Sequence, residues 1–338
     1  MSKKKALITG ISGQDGAYLT NLLISKNYDV IGTSRYPKKV NLWRFKQLGI
    51  KKKIKIFPKK VLSSPLFFIN ENLNEIYNLS ASSSVSNSFK YPINTFKSNT
   101  IDSLQILNSI NLSNKKIKYY QASSSEMYGN VMMKCNDKTK FNPLSPYAIS
   151  KLSAHQLTLN YRNNYGLFAC NGILFNHESP LRDKGYISKK IVKNLIKYKK
   201  TKNHNFQVGN IYAKRDWGHA EDYVRAMYLM MQKKLPEDFI VTSGINLSIK
   251  EFINIVCRRL DLNATWTGKS VNEVLKDNYN GKTIITINKK LFRPLDIKNS
   301  AGNPIKANRV LKWKCKKSFF DLIDEMIQFE INNPDFLF

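Results

Sequence analysis

Two short runs of residues carry enough chemistry to organise the reading of this chain. The first is Tyr147-x-x-x-Lys151. Residues four apart share one face of a helix, so this spacing sets a phenol beside an ammonium. A neighbouring cation favours the phenolate and lowers the tyrosine toward the range where it acts as a base. The second run, Ser123-Ser124-Ser125-Glu126, closes an apolar stretch that reads as a strand, and it offers hydroxyls and one carboxylate. Strand ends of an open parallel sheet are where ligands bind, so the two runs are expected to meet there.

A third run, Gly10-x-x-Gly13-x-x-Gly16, follows the apolar Ala6-Leu7-Ile8-Thr9 and precedes Leu19, Leu22, Leu23 and Ile24 at helical spacing. The pattern is strand, tight turn, helix, the form that lets a pyrophosphate approach backbone N–H groups. A second strand over 29–33 completes a βαβ unit. Arg35 comes just after it, where an acidic residue would hold a ribose 2′-hydroxyl and an arginine instead suits the 2′-phosphate of NADP. His177 and His219 have no second ligand at metal spacing and read as structural or cofactor-contacting residues; His155 and His204 carry no signal.

These residues need a scaffold of buried parallel strands. Further strands are expected over 53–57, 75–79, 117–122 and 168–174, with helices over 95–110 and 148–165. Beyond about residue 176 the pattern turns to loops over 176–185, 208–218 and 268–282, with helices over 248–260 and 319–329. The fold class is therefore α/β: an NADP-binding Rossmann fold with a parallel sheet over 1–175, to which part of 205–245 returns, and a smaller C-terminal α/β substrate lobe over 176–338. A chain of 338 residues is long enough for two lobes.

Composition narrows the class. With 55 Lys and Arg against 24 Asp and Glu, the formal charge is +31. The lysines are scattered and not interleaved with aromatics, so they read as a solvated surface and not as a nucleic-acid-binding face. Cys135, Cys170, Cys257 and Cys315 form no C-x-x-C pair, which points away from zinc and disulfides toward a reducing compartment. The basic start runs into a strand and glycines, unlike a signal peptide, and no apolar run approaches the roughly 20 residues of a membrane span. A cytoplasmic protein without nucleic-acid or membrane partners is expected.

Several stretches together resemble the GDP-mannose 4,6-dehydratase family of the extended short-chain dehydrogenase/reductases. They are residues 6–19 (ALITGISGQDGAYL), 75–79 (EIYNL), 120–129 (YQASSSEMYG), 145–151 (SPYAISK), 171–180 (NGILFNHESP), 213–224 (AKRDWGHAEDYV), 266–274 (WTGKSVNEV) and Arg293-Pro294. The resemblance spans nearly the whole chain. It implies a lyase that oxidises C4 of a GDP-linked mannose, eliminates water across C5 and C6, and returns hydride to C6. By that resemblance Tyr147 takes the O4 proton, Lys151 holds Tyr147 and the nicotinamide ribose, Ser124 hydrogen-bonds O4, and Glu126 removes the C5 proton. Gly10, Gly13, Gln14, Arg35 and His177 would hold NADP. Asn176, Lys190, Arg215 and Arg293 would surround the nucleotide diphosphate, and Glu273 its far end.

Departures from the family pattern are visible. The third strand ends in Pro58-Lys59-Lys60 where the family has Gly-Asp-Leu, whose Asp contacts adenine. Ser80 and Ser84 replace a Gly and a His, the SPRRG run becomes Ser179-Pro180-Leu181-Arg182-Asp183, and Asp296 stands for a Glu. These leave open another GDP-sugar such as GDP-manno-heptose, and a non-catalytic NADP-binding regulator is the alternative of a different class. The resemblance implies a homo-oligomer, a dimer at least through the usual two-helix contact; segment 36–53, which in the family is longer and helps build a tetramer, is short here and leaves dimer or tetramer open.

Overall fold

The computed structural model describes residues 3–50, 53–293 and 295–333. Pro294, quoted above, and residues 51–52 of the segment 36–53 lie outside the described residues. Seven strands form the central sheet: β1 Lys5–Thr9, β2 Asp29–Ser34, β3 Lys55–Pro58, β4 Glu75–Asn78, β5 Lys118–Ser124, β6 Ala169–Leu174 and β7 Phe239–Val241. Their spatial order is β7-β6-β5-β4-β1-β2-β3, and every pair is parallel. Strand order reverses between β1 and β4, the switch point of a doubly wound fold and the crevice where such sheets take ligands.

Alternation along the strands builds a core on each face. Ala6 and Ile8 of β1 and Tyr120 of β5 enter one cluster, which includes Leu19, Val224 and Met227 from helices Gln14–Ser25 and Ala220–Met231. Leu7 and Tyr119, their sequence neighbours, enter the opposite cluster with Ile106 and Tyr161 from helices Asp102–Leu112 and Pro146–Tyr165. Both faces being covered, the strands read as apolar runs.

A separate cluster lies in the second half of the chain. Strands Ala264–Thr267, Val274–Asp277, Thr283–Ile287 and Phe206–Val208 form a four-stranded sheet. Leu195, Phe206, Phe252, Ile285, Phe319 and Ile323 bury its apolar face against helices Ile187–Thr201, Ile249–Arg259 and Phe319–Asn332.

Several sequence expectations need correction. Each of the three expected loops contains a short strand: His177–Glu178, Lys214–Asp216 and Val274–Asp277. Such strands are too short to show a period. The helix expected over 95–110 is three pieces, Pro92–Phe96, a π turn Lys97–Ile101, and Asp102–Leu112. Helices Ile187–Thr201 and Ala220–Met231 were not anticipated.

Candidate functional site at the carboxyl edge of the sheet

The first turn after β1 is shaped by close approach. Gly10 has φ +65°, and a Cβ there would lie 2.9 Å from the Ser80 backbone; at Gly16 it would meet the carbonyl oxygens of Gly10 and Ile11, each at 2.6 Å. Ser80, where the family has a glycine, therefore packs its backbone on the turn, fixed by the Thr9 hydroxyl accepting from its N–H at 2.9 Å. Gly13 caps helix Gln14–Ser25 without any side-chain cap. Its first-turn N–H groups, together with the helix dipole, make an anion-binding cradle that fits a dinucleotide pyrophosphate.

The acidic Asp15 in that turn is neutralised across the crevice. His177 Nε2 lies 2.8 Å from its carboxylate, and His177 Nδ1 lies 2.7 Å from the Phe175 carbonyl. Both ring nitrogens face acceptors, so the imidazolium is the form that satisfies both. Burial pushes His177 down, but the Asp15 charge and hydrogen bond outweigh it and raise the ring above its ordinary value. For Asp15 burial pushes up, and the His177 charge is foremost among the neighbours that oppose it and hold its carboxyl at about 2. Gln14 donates to the His177 carbonyl at 3.2 Å and accepts from the Ser179 hydroxyl at 2.7 Å. The glycine turn and residues 175–179 are thus one unit.

Ser124 ends β5 and caps the 3₁₀ turn Ser125–Tyr128, accepting from the Glu126 N–H at 3.2 Å. Helix Pro146–Tyr165 begins beside it. Ser145 accepts from the Ala148 N–H at 3.1 Å, Pro146 occupies the first turn, and Gly166 ends the helix in the left-handed region. Tyr147 and Lys151 both face inward, 8% and 4% exposed. The Lys151 ammonium donates to the Ala122 carbonyl at 2.9 Å and stands 5.9 Å from the Tyr147 ring centroid.

The expected lowering of Tyr147 by its lysine does not hold in this structure. Burial dominates and pushes the phenol up, while the Ser124 hydroxyl works against it. Lys151, whose ammonium is engaged by Ala122, is itself pushed down to about 8 by burial, with Asp15 opposing.

Glu126 is partly buried, and Arg293 reaches across to it at 3.9 Å. Arg293 also lies 3.9 Å from Asp296, and Arg215 pairs with Asp296 at 3.3 Å while donating to the Ile297 carbonyl at 2.7 Å. Ser124, Glu126, Tyr147, Arg215 and Arg293 are thereby brought to one crevice.

The remaining expected residues are distributed as follows. Asn176 lies at the crossing point, where its carbonyl accepts from the Gly218 N–H at 3.1 Å. Lys190 donates to the Gln207 carbonyl at 2.7 Å. Glu273 lies apart, accepting from Lys250 at 2.7 Å and from the Tyr212 hydroxyl; these bonds hold its carboxyl low. Lys250 also sits 5.3 Å from the Trp266 ring centroid. Arg35 is exposed beyond β2. His219 caps helix Ala220–Met231 and contacts Glu325 at 3.1 Å, and His155 contacts the Ser123 hydroxyl at 3.1 Å, both structural. Ser84 caps helix Val85–Lys90.

Sequence reasoning missed Asp15, Arg182 and Tyr186 as members of this crevice. Arg182 stacks on Tyr186 at 3.6 Å, and Tyr186 meets the Ser83 hydroxyl at 2.6 Å; both residues act electrostatically on Tyr147. The SPLRD run was the signal that pointed there.

Residues 7–326 match the family described as GDP-mannose 4,6 dehydratase. The chain belongs to this family. A GDP-mannose 4,6 dehydratase of Drosophila melanogaster is 39% identical over 97% of this chain and 86% of the relative. Among solved structures, a dTDP-glucose 4,6-dehydratase of Streptomyces venezuelae with NAD bound superposes with TM-score 0.81 at 17% identity, covering 98% of each chain. RMD of Pseudomonas aeruginosa complexed with NADPH gives 0.74 at 17%, covering 97% of this chain and 98% of the other. At these identities the solved structures show the fold, which the GDP-mannose 4,6-dehydratase family shares with them.

Proposed function

We propose that this chain is an NADP-dependent GDP-sugar 4,6-dehydratase acting on GDP-mannose. The observation that carries this reading is the meeting of Ser124, Tyr147 and Lys151 with a carboxylate, Glu126, that Arg293 faces from the second half of the chain.

When bound, NADP would be held by the glycine turn and would supply the hydride acceptor for C4 and the hydride donor for C6. The protein's own groups do the rest. Tyr147 accepts the O4 proton while the Ser124 hydroxyl hydrogen-bonds that oxygen. Burial raises Tyr147, and the Ser124 hydroxyl that contacts it works against that burial. Once C4 is a ketone, the C5 proton is acidified; Glu126 removes it and passes a proton to the departing C6 hydroxyl, which leaves as water, and as C6 takes hydride C5 regains a proton from the site, which the proton taken from O4 by Tyr147 balances. Arg215 and Arg293 suit the diphosphate. Tyr212, Lys250 and Trp266 around Glu273 suit the nucleotide base, with Glu273 accepting from its N–H groups. Residues 1–175, with part of 205–245, form the cofactor half and 176–338 mainly the substrate half.

Two further readings belong to this proposal. The protein is cytoplasmic, consistent with buried free thiols at Cys135, Cys170 and Cys257. It is a homo-oligomer, supported by exposed Ile93, Phe96, Ile101 and Ile149 on the neighbouring helical segments 92–112 and 146–165. Among the described residues no helix is long and apolar enough to cross a membrane.

Incubation with NADP and a panel of GDP-sugars, followed by mass spectrometry, tests the reading. Loss of one water from GDP-mannose is expected. Loss only from another GDP-sugar, such as GDP-manno-heptose, reassigns the substrate, and no loss from any of them removes the activity.

A further inference from the structure

The cofactor side of the crevice departs from the family where β3 ends, and the structure gives that departure a geometry. Strands β2 and β3 pair in parallel with Ser34 opposite Pro58. Arg35 follows β2 directly, and Lys59 opens the 3₁₀ turn Lys59–Ser63 directly after β3, so the two leave the carboxyl edge of the sheet from neighbouring paired strands. Paired strands lie about 4.8 Å apart, so both side chains start within reach of one phosphate.

The Lys59 side chain is not loose. Its ammonium is in direct contact with the carboxylate of Asp102, which opens helix Asp102–Leu112 and has a side chain only 13% exposed. Lys59 itself remains 29% exposed, so it is anchored on one side and open on the other. The Asp102 carboxylate against this pair of cations stands on the helix, and the strand ends that flank the adenosine in a dinucleotide fold are both followed by a cation.

We infer that Lys59 is the second cation of an adenosine 2′-phosphate subsite, acting beside Arg35, and that Asp102 holds its ammonium in place for that contact. The inference rests on the proposed use of NADP. It makes the Lys59 substitution, where the family carries a Gly-Asp-Leu run, a cofactor-specificity feature of this chain. Electrostatics around Asp102 agree: burial raises its carboxyl, and the groups that oppose this are Lys59 first and Arg35 next, so both cations act on the same spot. Two cations on a phosphate dianion form charge-assisted hydrogen bonds, the strong class of such contacts.

The test uses the full chain titrated calorimetrically with adenosine 2′,5′-bisphosphate and with 5′-AMP, ligands that differ only in the 2′-phosphate, and with NADP and NAD. Lys59→Met should cut the preference for the bisphosphate over 5′-AMP roughly tenfold or more, with 5′-AMP affinity unchanged. Lys59→Arg should restore most of the preference. Equal losses for both ligands, or an unchanged preference, would overturn the inference. Acetylation mapping on the unaltered chain gives an independent reading that no folding defect can confound: the bisphosphate should protect Lys59 and 5′-AMP should not, and equal protection would overturn it. A native chain that binds NAD as tightly as NADP refutes the cofactor reading itself. A native preference for NADP that survives Lys59→Met refutes only this inference.

Discussion

Replacing Asp15 by Asn removes the charge from the pair that ties the glycine turn to residues 175–179, and its cost can be worked from the structure. Asp15 is held at about 2 against an ordinary 3.8. That lowering corresponds to roughly 2–3 kcal/mol; the same attraction raises His177 and is counted once. For the carboxylate, whose folded value is depressed, this stability is present above about 3.8 and is lost as pH falls toward 2. For the imidazole, whose folded value is raised above 6.5, it is present below 6.5 and lost as pH rises through the folded value. The pair is therefore fully effective between about pH 4 and 6.5. Urea unfolding of Asp15→Asn and the native chain, compared from pH 3 to 9, should show a deficit of roughly 2–3 kcal/mol in that window, narrowing at both ends. A deficit independent of pH would refute the ion pair as its source.

Other expectations follow from single contacts. Gly16→Ala should cost about 1–3 kcal/mol and weaken dinucleotide binding, since its Cβ would lie 2.6 Å from two carbonyl oxygens; thermal melts with and without NADP would register both. Arg35→Ala should weaken NADP roughly tenfold or more while leaving NAD nearly unchanged, and equal losses in calorimetry would remove it from the 2′-phosphate. Tyr147→Phe should keep the melting temperature and lower turnover about 10²–10⁴-fold; a near-native rate would exclude it as the base. Light scattering at micromolar concentration should find a dimer or larger, and Ile93→Asp with Ile149→Asp should give a monomer.

What the sequence revealed and withheld follows the distance over which each signal acts. Tyr147 and Lys151 are one helical turn apart, and Ser124 and Glu126 flank one strand end, so local spacing alone located them. Buried apolar runs marked β1, β2, β4, β5 and β6 because both faces of the sheet are covered. Asp15 and His177 are 162 residues apart, and nothing local in either announces the other. The Lys59–Asp102 contact is hidden in the same way. Helix Ile187–Thr201 was readable, since Ile191, Leu195 and Tyr198 recur at helical spacing, but its many lysines masked the stripe. Tyr147 shows the opposite failing: its lysine neighbour was evident, whereas the burial that raises the phenol belongs to the fold.

The central claim is that Glu126 performs the elimination after C4 has been oxidised. Glu126→Gln is nearly isosteric and cannot accept the proton, so it leaves the Tyr147 step intact. Purified variant mixed with NADP and GDP-mannose should accumulate reduced cofactor, seen by absorbance, with a 4-keto sugar that keeps its C6 hydroxyl. Solvent deuterium should no longer enter C5, and dehydration should fall about 10²–10⁴-fold. Dehydration at near the native rate, with deuterium still entering C5, would contradict the assignment of Glu126 and the site built around it.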